Sequence, residues 1–225
     1  MKAVIFDMDG VIFDSETAVL NGWKEIAEKY NIPDVEIPYR LSIGTNAEAS
    51  KKNFLEYYGE DFPYDIYKEE QRANFHKKYD GGKLPLKPGV RELLAYIKEK
   101  GLRTAVASST RFEMVKAEIE AAGIGSFFDV IIGGDHVKKS KPHPEIFLKA
   151  AELLSVSPED AYIIEDSFNG IRAALSSGGL PVMVPDMQKP DDEMKSKAWK
   201  IADSLFDVIE LIEENEKLQG SNTLR

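Results

Sequence analysis

The sequence predicts an α/β fold, in which helices cover a mainly parallel sheet, on three observations. Five short apolar runs are rich in Val, Ile, Phe or Ala and lack strict alternation, which is typical of strands covered on both faces. Amphipathic stretches with apolar residues at i, i+3, i+4 and i+7 lie between them, as in helices. The 225 residues are 43% hydrophobic, so the chain can form one large domain, or one domain with a smaller insert.

The predicted elements alternate along the chain from the second strand onward. The predicted strands are residues 3–6, 104–107, 127–132, 161–164 and 181–184. The predicted helices on this part of the chain are residues 90–97, 112–122, 146–154 and 205–212. Gly101 and Gly123 end the first two of these helices. This alternation indicates a layered domain with a parallel sheet.

The segment between the first two strands is too long for one crossover connection and contains no good strand. It contains three helical stretches, and the Gly/Pro-rich residues 81–88 that follow are typical of a linker. We therefore predict a small helical domain inserted after the first strand; the alternative is a set of helices packed rigidly on the same core. The predicted boundaries are 1–14 and 84–215 for the core, 15–83 for the helical cap, and 216–225 for a polar tail.

Composition and charge exclude several classes of partner and cofactor. The formal charge of −10 disfavours a broad nucleic-acid surface and binding to anionic membranes. The chain has no cysteine, so disulfides, Cys-ligated metals and thiol nucleophiles are excluded. The first residues do not look like a signal peptide, and no apolar run approaches the ~20 residues that span a bilayer. A soluble cytoplasmic protein is the simplest expectation, and a monomer is compatible with it.

Two acidic pairs follow predicted strands. Asp7 and Asp9 come directly after the first strand, and Gly10 lets the chain turn and lets a ligand approach the backbone. Glu165 and Asp166 end the fourth strand, where adjacent acids are costly to bury unless a positive group meets them. Turn or helix capping is the structural alternative for each pair.

A hydroxyl cluster and a fixed lysine complete the candidate site. Ser108 and Ser109 end the second strand at the start of a helix, where free N–H groups suit a phosphate, although these residues taken alone favour an ordinary N-cap. Lys141 lies in a segment whose backbone is restricted by Pro142 and Pro144. All four features lie at the carboxyl ends of strands, where open α/β sheets bind ligands. Together they predict a Mg²⁺-dependent site for phosphoryl transfer.

In these motifs the sequence resembles the haloacid dehalogenase-like superfamily, in its phosphatase and β-phosphoglucomutase branch. The resemblance covers nearly the whole chain and includes four motifs in order: Asp7-Met8-Asp9-Gly10-Val11, Ser108, Lys141-Pro142 and Glu165-Asp166. It implies a Rossmann-like core with a mobile helical cap inserted after the first motif. It also implies that the first strand is central, flanked by the second and the fourth.

The resemblance implies roles for these residues. Asp7 is the expected nucleophile, which forms an aspartyl-phosphate, and Asp9 is the expected general acid and then base. Mg²⁺ is expected on the Asp7 carboxylate, the Asp9 carbonyl and Asp166, while Glu165 either ligates through water or orients the other ligands.

The transferring phosphoryl group is expected to lie against residues from three motifs. Ser108 and the Ser109 N–H are expected to bind it, Gly10 to allow its approach, and Lys141 to neutralise its charge. Closure of the cap is expected to exclude water and to select the substrate.

The choice between hydrolase and mutase rests on the predicted cap. β-Phosphoglucomutases carry a histidine soon after the first motif, but residues 15–23 hold none, and the family arginine that grips a second phosphate falls at Asn46. A phosphatase acting on a small phosphorylated metabolite is therefore the preferred interpretation, and a sugar phosphate is the first candidate substrate. A mutase is the alternative, and a non-catalytic phosphate-binding protein is a third. Asn46 and Arg72 are candidate substrate contacts, with solvated surface as the alternative for each.

Overall fold

The computed structural model describes residues 1–43 and 47–222, and its centre is a six-stranded sheet in the order β3-β2-β1-β4-β5-β6. The strands are β1 Ala3–Phe6, β2 Arg103–Ala107, β3 Val130–Ile132, β4 Ala161–Glu165, β5 Leu180–Met183 and β6 Lys200–Ile201. All neighbouring pairs are parallel, and β1 lies between β2 and β4. The predicted α/β, Rossmann-like sheet with a central first strand is confirmed.

Ten α-helices lie in the described part of the chain. They are α1 Ser15–Tyr30, α2 Glu36–Ser42, α3 Ala47–Tyr58, α4 Tyr64–Tyr79, α5 Val90–Glu99, α6 Phe112–Ala121, α7 Glu145–Leu154, α8 Phe168–Ser177, α9 Asp192–Lys197 and α10 Leu205–Asn222. None of these helices is both long and apolar enough to cross a bilayer.

The sheet separates two hydrophobic clusters, which explains why its strands lack an apolar/polar alternation. Val4 and Phe6 of β1 face one cluster, which includes residues of α5, α6 and α10. Ala3 and Ile5 face the other, which includes residues of α7 and α8. All four side chains are at most 1% exposed. Both faces of the central strand are therefore covered, as in other parallel sheets.

The helices α1 to α4 have a hydrophobic cluster of their own. Trp23 of α1 packs against Phe54 of α3, with ring centroids 4.6 Å apart, and against Tyr64 of α4 at 5.7 Å. These three side chains are at most 6% exposed, and the cluster is separate from the two that flank the sheet. A separate core supports the predicted helical unit at residues 15–83, whose boundaries stay a prediction.

Two adjacent connections join these helices to the sheet. The backbone N–H of Asp14 donates to the Pro85 carbonyl over 2.9 Å, and that of Lys87 donates to the Ile12 carbonyl over 2.9 Å. Lys87 also pairs with Asp186, in the loop after β5, at 2.6 Å. The outgoing and returning chains therefore enter the helical segment side by side, close to the carboxyl end of the sheet.

Several element boundaries differ from the sequence prediction. The strand predicted at 127–132 starts at Val130, because Gly125–Phe127 forms a 3-10 turn. The two-residue β6 and the short α2 and α9 were not predicted, since segments of this length carry little periodic signal.

The predicted polar tail is helical over most of its length. Helix α10 continues to Asn222, past the boundary predicted at residue 216. Lys100 pairs with Glu216 at 3.0 Å, and the Asn215 amide donates to the Tyr162 hydroxyl over 2.6 Å. These contacts attach the polar end of α10 to the core, which local composition alone does not reveal.

Candidate active site

The candidate site lies where three neighbouring strands end. Asp7 follows β1, Ser108 follows β2, and Glu165 is the last residue of β4. Because β1 is hydrogen-bonded to both β2 and β4, their carboxyl ends meet at one edge of the sheet. Residues from three distant parts of the chain therefore share one cleft.

Lys141 joins two of these strand ends. Its Nζ lies 2.6 Å from Asp7 Oδ1 and 2.6 Å from Glu165 Oε1, and it donates to the Ala107 carbonyl over 3.2 Å. Its side chain is only 8% exposed. Burial alone would lower the pKa of Lys141, but the two carboxylates outweigh burial and raise it. The lysine is therefore a fixed positive charge at the centre of the site.

Glu165 is fully buried, and the protein itself occupies its carboxylate. Oε1 binds Lys141, while Oε2 accepts from the Ser167 hydroxyl at 3.0 Å and from the N–H groups of Asp166 and Ser167 at 3.2 Å. Of the two expected roles of Glu165, these contacts favour the orienting one, because no carboxylate oxygen is left without a partner.

Asp7, Glu165 and Asp166 form an acidic cluster that could hold a metal ion. One carboxylate oxygen from each lies within 4.8 Å of the others. Burial, with repulsion from Glu165 and Asp7, raises the pKa of Asp166 well above its usual range. Burial likewise raises the pKa of Asp7 to about 7, despite its contact with Lys141. One ammonium group does not balance the negative charge of three carboxylates, so a further cation would compensate the excess.

The ligand chemistry fits magnesium. Within residues 1–43 and 47–222, no hydrogen bond or ion pair reaches the Asp166 carboxylate, which lines the cleft beside Asp7. Mg²⁺ prefers such oxygen ligands. Gly10 adopts a φ of +76°, and a Cβ there would lie 2.3 Å from Asp166 Oδ2. The glycine therefore provides both the turn and the space for this carboxylate.

Asp9 lies beside Asp7 in the cleft and is held by a hydroxyl group. Thr110 Oγ1 donates to Asp9 Oδ2 over 3.1 Å. Burial raises the pKa of Asp9, against hydrogen bonds from Ser15 and Thr110 that lower it. A carboxyl group with a raised pKa can hold a proton near neutral pH, as a general acid must.

Ser108 and Ser109 lie at the carboxyl end of β2, beside the acidic cluster. Ser108 is 1% exposed, and its Oγ accepts from the Thr110 N–H over 3.0 Å, so its own proton remains available to a ligand. Ser109 lines a cleft of about 140 Å³ together with Asp7, Asp9 and Lys141. Five of the predicted core residues therefore line one small space: Asp7, Asp9, Ser109, Lys141 and Asp166.

Of the two predicted cap contacts, Arg72 does not join this cluster. Arg72 is exposed on α4 and lines none of the cavities that we describe. Asn46 lies outside the described residues. Instead, Glu16, Ile43 and Gln188 line the cleft.

The sequence offers a signal for Glu16 but none for Gln188. Glu16 lies soon after the first motif, Asp7-Met8-Asp9-Gly10-Val11. Gln188, whose amide donates to the Ile43 carbonyl over 3.0 Å, belongs to no recognised motif.

A family model supports the assignment that the fold and the cleft suggest. The model of the haloacid dehalogenase-like hydrolases matches residues 4–184. The chain therefore belongs to this family.

Similar proteins of the family include a phosphatase and a mutase. The chain is 35% identical over 183 residues to a phosphorylated carbohydrates phosphatase of Thermotoga maritima, covering 79% of this chain and 82% of that protein. It is 36% identical over 192 residues to a β-phosphoglucomutase of Bacillus subtilis, covering 82% and 83%. The crystal structure of a β-phosphoglucomutase of Clostridium difficile matches with a TM-score of 0.69 and 28% identity, over 97% of this chain and 99% of that one. The chain is thus an enzyme of the phosphatase and β-phosphoglucomutase branch.

Replacing Gly170 with alanine should destabilise the protein, although helix propensity alone favours alanine. In most helix interiors the change from glycine to alanine gains up to about 1 kcal/mol. Here the new Cβ would lie 1.9 Å from the Glu165 carboxyl carbon, so Glu165 and its contact with Lys141 must shift. We expect the free energy of unfolding, measured in urea, to fall by about 1–3 kcal/mol. Gly125→Ala is the control, because its Cβ would meet its nearest neighbour at 3.5 Å; a gain of stability in Gly170→Ala would contradict this packing.

Replacing Asp166 with asparagine should stabilise the protein when metal is chelated. The native pKa of Asp166 is raised above its unfolded-state value, so stability is lost as the pH rises from the unfolded-state pKa to the native pKa. The cost is complete above the native pKa and vanishes at low pH, where the group is protonated in both states. We expect a higher unfolding midpoint for Asp166→Asn in EDTA at pH 8, with the gain shrinking toward pH 4. Added Mg²⁺ should raise the midpoint of the wild type more than that of the variant. The exposed Asp61→Asn is the control, and a lower midpoint for Asp166→Asn in EDTA would refute the excess of negative charge.

Proposed function

We propose that the protein is a Mg²⁺-dependent phosphatase, which hydrolyses a small phosphorylated metabolite, a sugar phosphate, through an aspartyl-phosphate on Asp7. The observation that carries the proposal is the contact of Lys141 with Asp7 and Glu165 beside the Asp166 carboxylate. This arrangement combines a nucleophile with positive charge for a phosphoryl group and ligands for a cation. The similarity to a phosphatase of phosphorylated carbohydrates supports the substrate class.

The proposed metal ligands are the carboxylates of Asp7 and Asp166 and the backbone carbonyl of Asp9. A bound Mg²⁺ supplies positive charge to the oxygens of the transferring phosphoryl group. Glu165 holds Lys141 and the chain at Asp166 and Ser167 in place, and so fixes the positions of the other groups.

Asp7 and Asp9 divide the chemistry between them. A carboxylate oxygen of Asp7 attacks phosphorus, the bond from phosphorus to the leaving oxygen breaks, and the Asp9 proton goes to that oxygen. In the second step the Asp9 carboxylate removes a proton from water, whose oxygen attacks the phosphoryl group. The bond to Asp7 then breaks, which releases inorganic phosphate and restores the carboxylate.

The remaining residues of the cleft hold the phosphoryl group. The Ser108 hydroxyl and the Ser109 N–H donate to its oxygens, Lys141 offsets its charge, and Gly10 leaves room for its approach. Lys141 is well suited to this because it is already held at Asp7, so little reorganisation is needed when the anion arrives.

The helical segment at 15–83 is proposed to act as a cap over this cleft. Glu16 and Ile43 from this segment line the cleft, and Gln188 of the core donates to the Ile43 carbonyl. Such contacts would exclude water when the segment closes. All of the proposed catalytic groups come from one chain, so a monomer can perform the reaction.

A phosphosugar mutase is the alternative function. It is favoured by the similarity to the B. subtilis β-phosphoglucomutase. Against it, residues 15–23 contain no histidine, and residue 46 is an asparagine. A mutase must keep hold of the second phosphate of its intermediate during the reaction. These two positions offer no positive charge to bind that phosphate.

Turnover of p-nitrophenyl phosphate tests the enzyme proposal. We expect Mg²⁺-dependent release of nitrophenol, which chelation abolishes, and a loss of about 10³-fold or more in kcat for Asp7→Asn, which lacks the nucleophile. Asp61→Asn serves as the matched control, because Asp61 is exposed in a turn. Equal turnover by wild type and Asp7→Asn would refute the role of Asp7.

Product analysis separates hydrolase from mutase. The enzyme is incubated with β-glucose 1-phosphate and a trace of glucose 1,6-bisphosphate, and glucose 6-phosphate and free phosphate are measured together. A phosphatase releases phosphate without accumulating glucose 6-phosphate, and we expect that result. Net glucose 6-phosphate without free phosphate would establish the mutase instead.

A further inference from the structure

A larger cavity lies in the helical segment next to the catalytic cleft. Its volume is about 640 Å³, against about 140 Å³ for the cleft, and Glu16 and Ile43 line both spaces. Cavities of about 300–1,000 Å³ are typical of small-molecule sites. The cleft has space for a phosphoryl group, so the rest of a phosphomonoester would extend past Glu16 into the larger cavity.

A carboxylate and an ammonium group face this cavity among aromatic side chains. The Tyr39 hydroxyl donates to Glu16 Oε2 and, over 3.0 Å, to the Glu16 carbonyl. Lys68 donates to Gln71 over 3.2 Å and lies 5.7 Å from the centre of the Trp23 ring. Among the described residues, Glu16 Oε1 has no hydrogen-bond partner, and two of the three Lys68 donors are unused.

Because Glu16 and Lys68 are partly buried, a ligand that supplies their missing hydrogen bonds should gain binding free energy. Burial raises the pKa of Glu16 and lowers the pKa of Lys68, so each group has lost water that the protein replaces only in part. A ligand hydroxyl can donate to the carboxylate, and a neighbouring hydroxyl can accept from the ammonium group.

The charges around the cavity disfavour a second anion. Three carboxylates, those of Glu16, Glu48 and Asp65, line it against the two ammonium groups of Lys51 and Lys68, which leaves a balance of −1. Lys51 is also paired with Asp65 at 2.5 Å. If Glu16 takes up a proton, the balance reaches only zero. The residues that line the cavity therefore carry no net positive charge in either state, and a second phosphate would meet no excess of positive charge among them.

We propose that this cavity binds the leaving group of the substrate, and that Glu16 and Lys68 select a neutral polyhydroxyl group. The substrate is then a monophosphate of a sugar or sugar alcohol, and bisphosphates are rejected. The proposal rests on the phosphatase function above and assigns the specificity of the same site to two residues of the cap.

Selection by buried polar groups has a characteristic size. A ligand without the matching hydroxyls leaves Glu16 and Lys68 unpaired, at a cost of about 1–3 kcal/mol, which corresponds to roughly 5- to 150-fold in kcat/KM. The same loss should follow when either side chain is replaced, and it should fall on sugar phosphates rather than on substrates without hydroxyls.

The test compares substrates in wild type and variants. kcat and KM are measured for a panel of sugar and polyol monophosphates of three to six carbons, for the bisphosphate of the best sugar, and for p-nitrophenyl phosphate. We expect wild type to prefer the monophosphate over its bisphosphate by at least about 10-fold in kcat/KM. Glu16→Gln, which is isosteric, and Lys68→Met should each lower the ratio of the sugar phosphate to p-nitrophenyl phosphate by about 10-fold, mainly through KM. Exposed residues on the same helices supply the controls Glu28→Gln and Lys77→Met, which should leave this ratio unchanged.

The outcomes separate this inference from the proposed function. Failure of the wild type to turn over p-nitrophenyl phosphate with Mg²⁺ would refute the proposed phosphatase function. If that activity is present, the inference is refuted by a preference for the bisphosphate, or by a panel in which no monophosphate exceeds p-nitrophenyl phosphate. It is also refuted if both variants leave the substrate ratio unchanged, since Glu16 and Lys68 would then not contact the leaving group.

Discussion

The contact of Lys141 with Asp7 and Glu165 is the constraint on which the rest of the site depends. Two buried carboxylates at this edge of the sheet are tolerated because both contact the Lys141 ammonium group at hydrogen-bond distance. That geometry requires β1 and β4 to be neighbours, and it requires the loop after β3 to return over them. The parallel sheet thus places these charged groups within contact distance of one another. Because Lys141 contacts Asp7 and Glu165, the Asp166 carboxylate remains available to a cation.

The parts of the site that the sequence predicted are those tied to strand ends. Asp7, Ser108 and Glu165 follow apolar runs directly, so the order of the strands is enough to bring them together. Thr110 and Gln188 were not assigned roles, because their contacts with Asp9 and with the Ile43 carbonyl join segments far apart in the chain. Helix periodicity likewise located α1 and α4, but nothing local indicates that they place Glu16 and Lys68 at one cavity. Such pairings depend on tertiary packing rather than on propensity.

The net charge of −10 must be weighed against an anionic substrate. Long-range attraction does not bring a phosphate to an acidic protein, so recognition depends on local groups. Within the described site, Lys141 is held by two carboxylates, and much of its charge is already compensated. A cation on Asp7 and Asp166 is what would make the cleft attractive to an anion. Metal binding and substrate binding should therefore be linked, with each favouring the other.

The positions of Glu16 and Lys141 show how one chain can separate reaction from selection. Lys141 contacts only groups of the core. Every phosphoryl group therefore meets the same residues there, whatever its leaving group. Glu16 is the second residue of α1 and lines both the cleft and the cavity of the helical segment. Changes deeper in that cavity can alter the leaving group that fits without moving Asp7, Lys141 or Glu165. Relatives of similar identity can accordingly carry different activities on the same core, as the phosphatase and the mutase do.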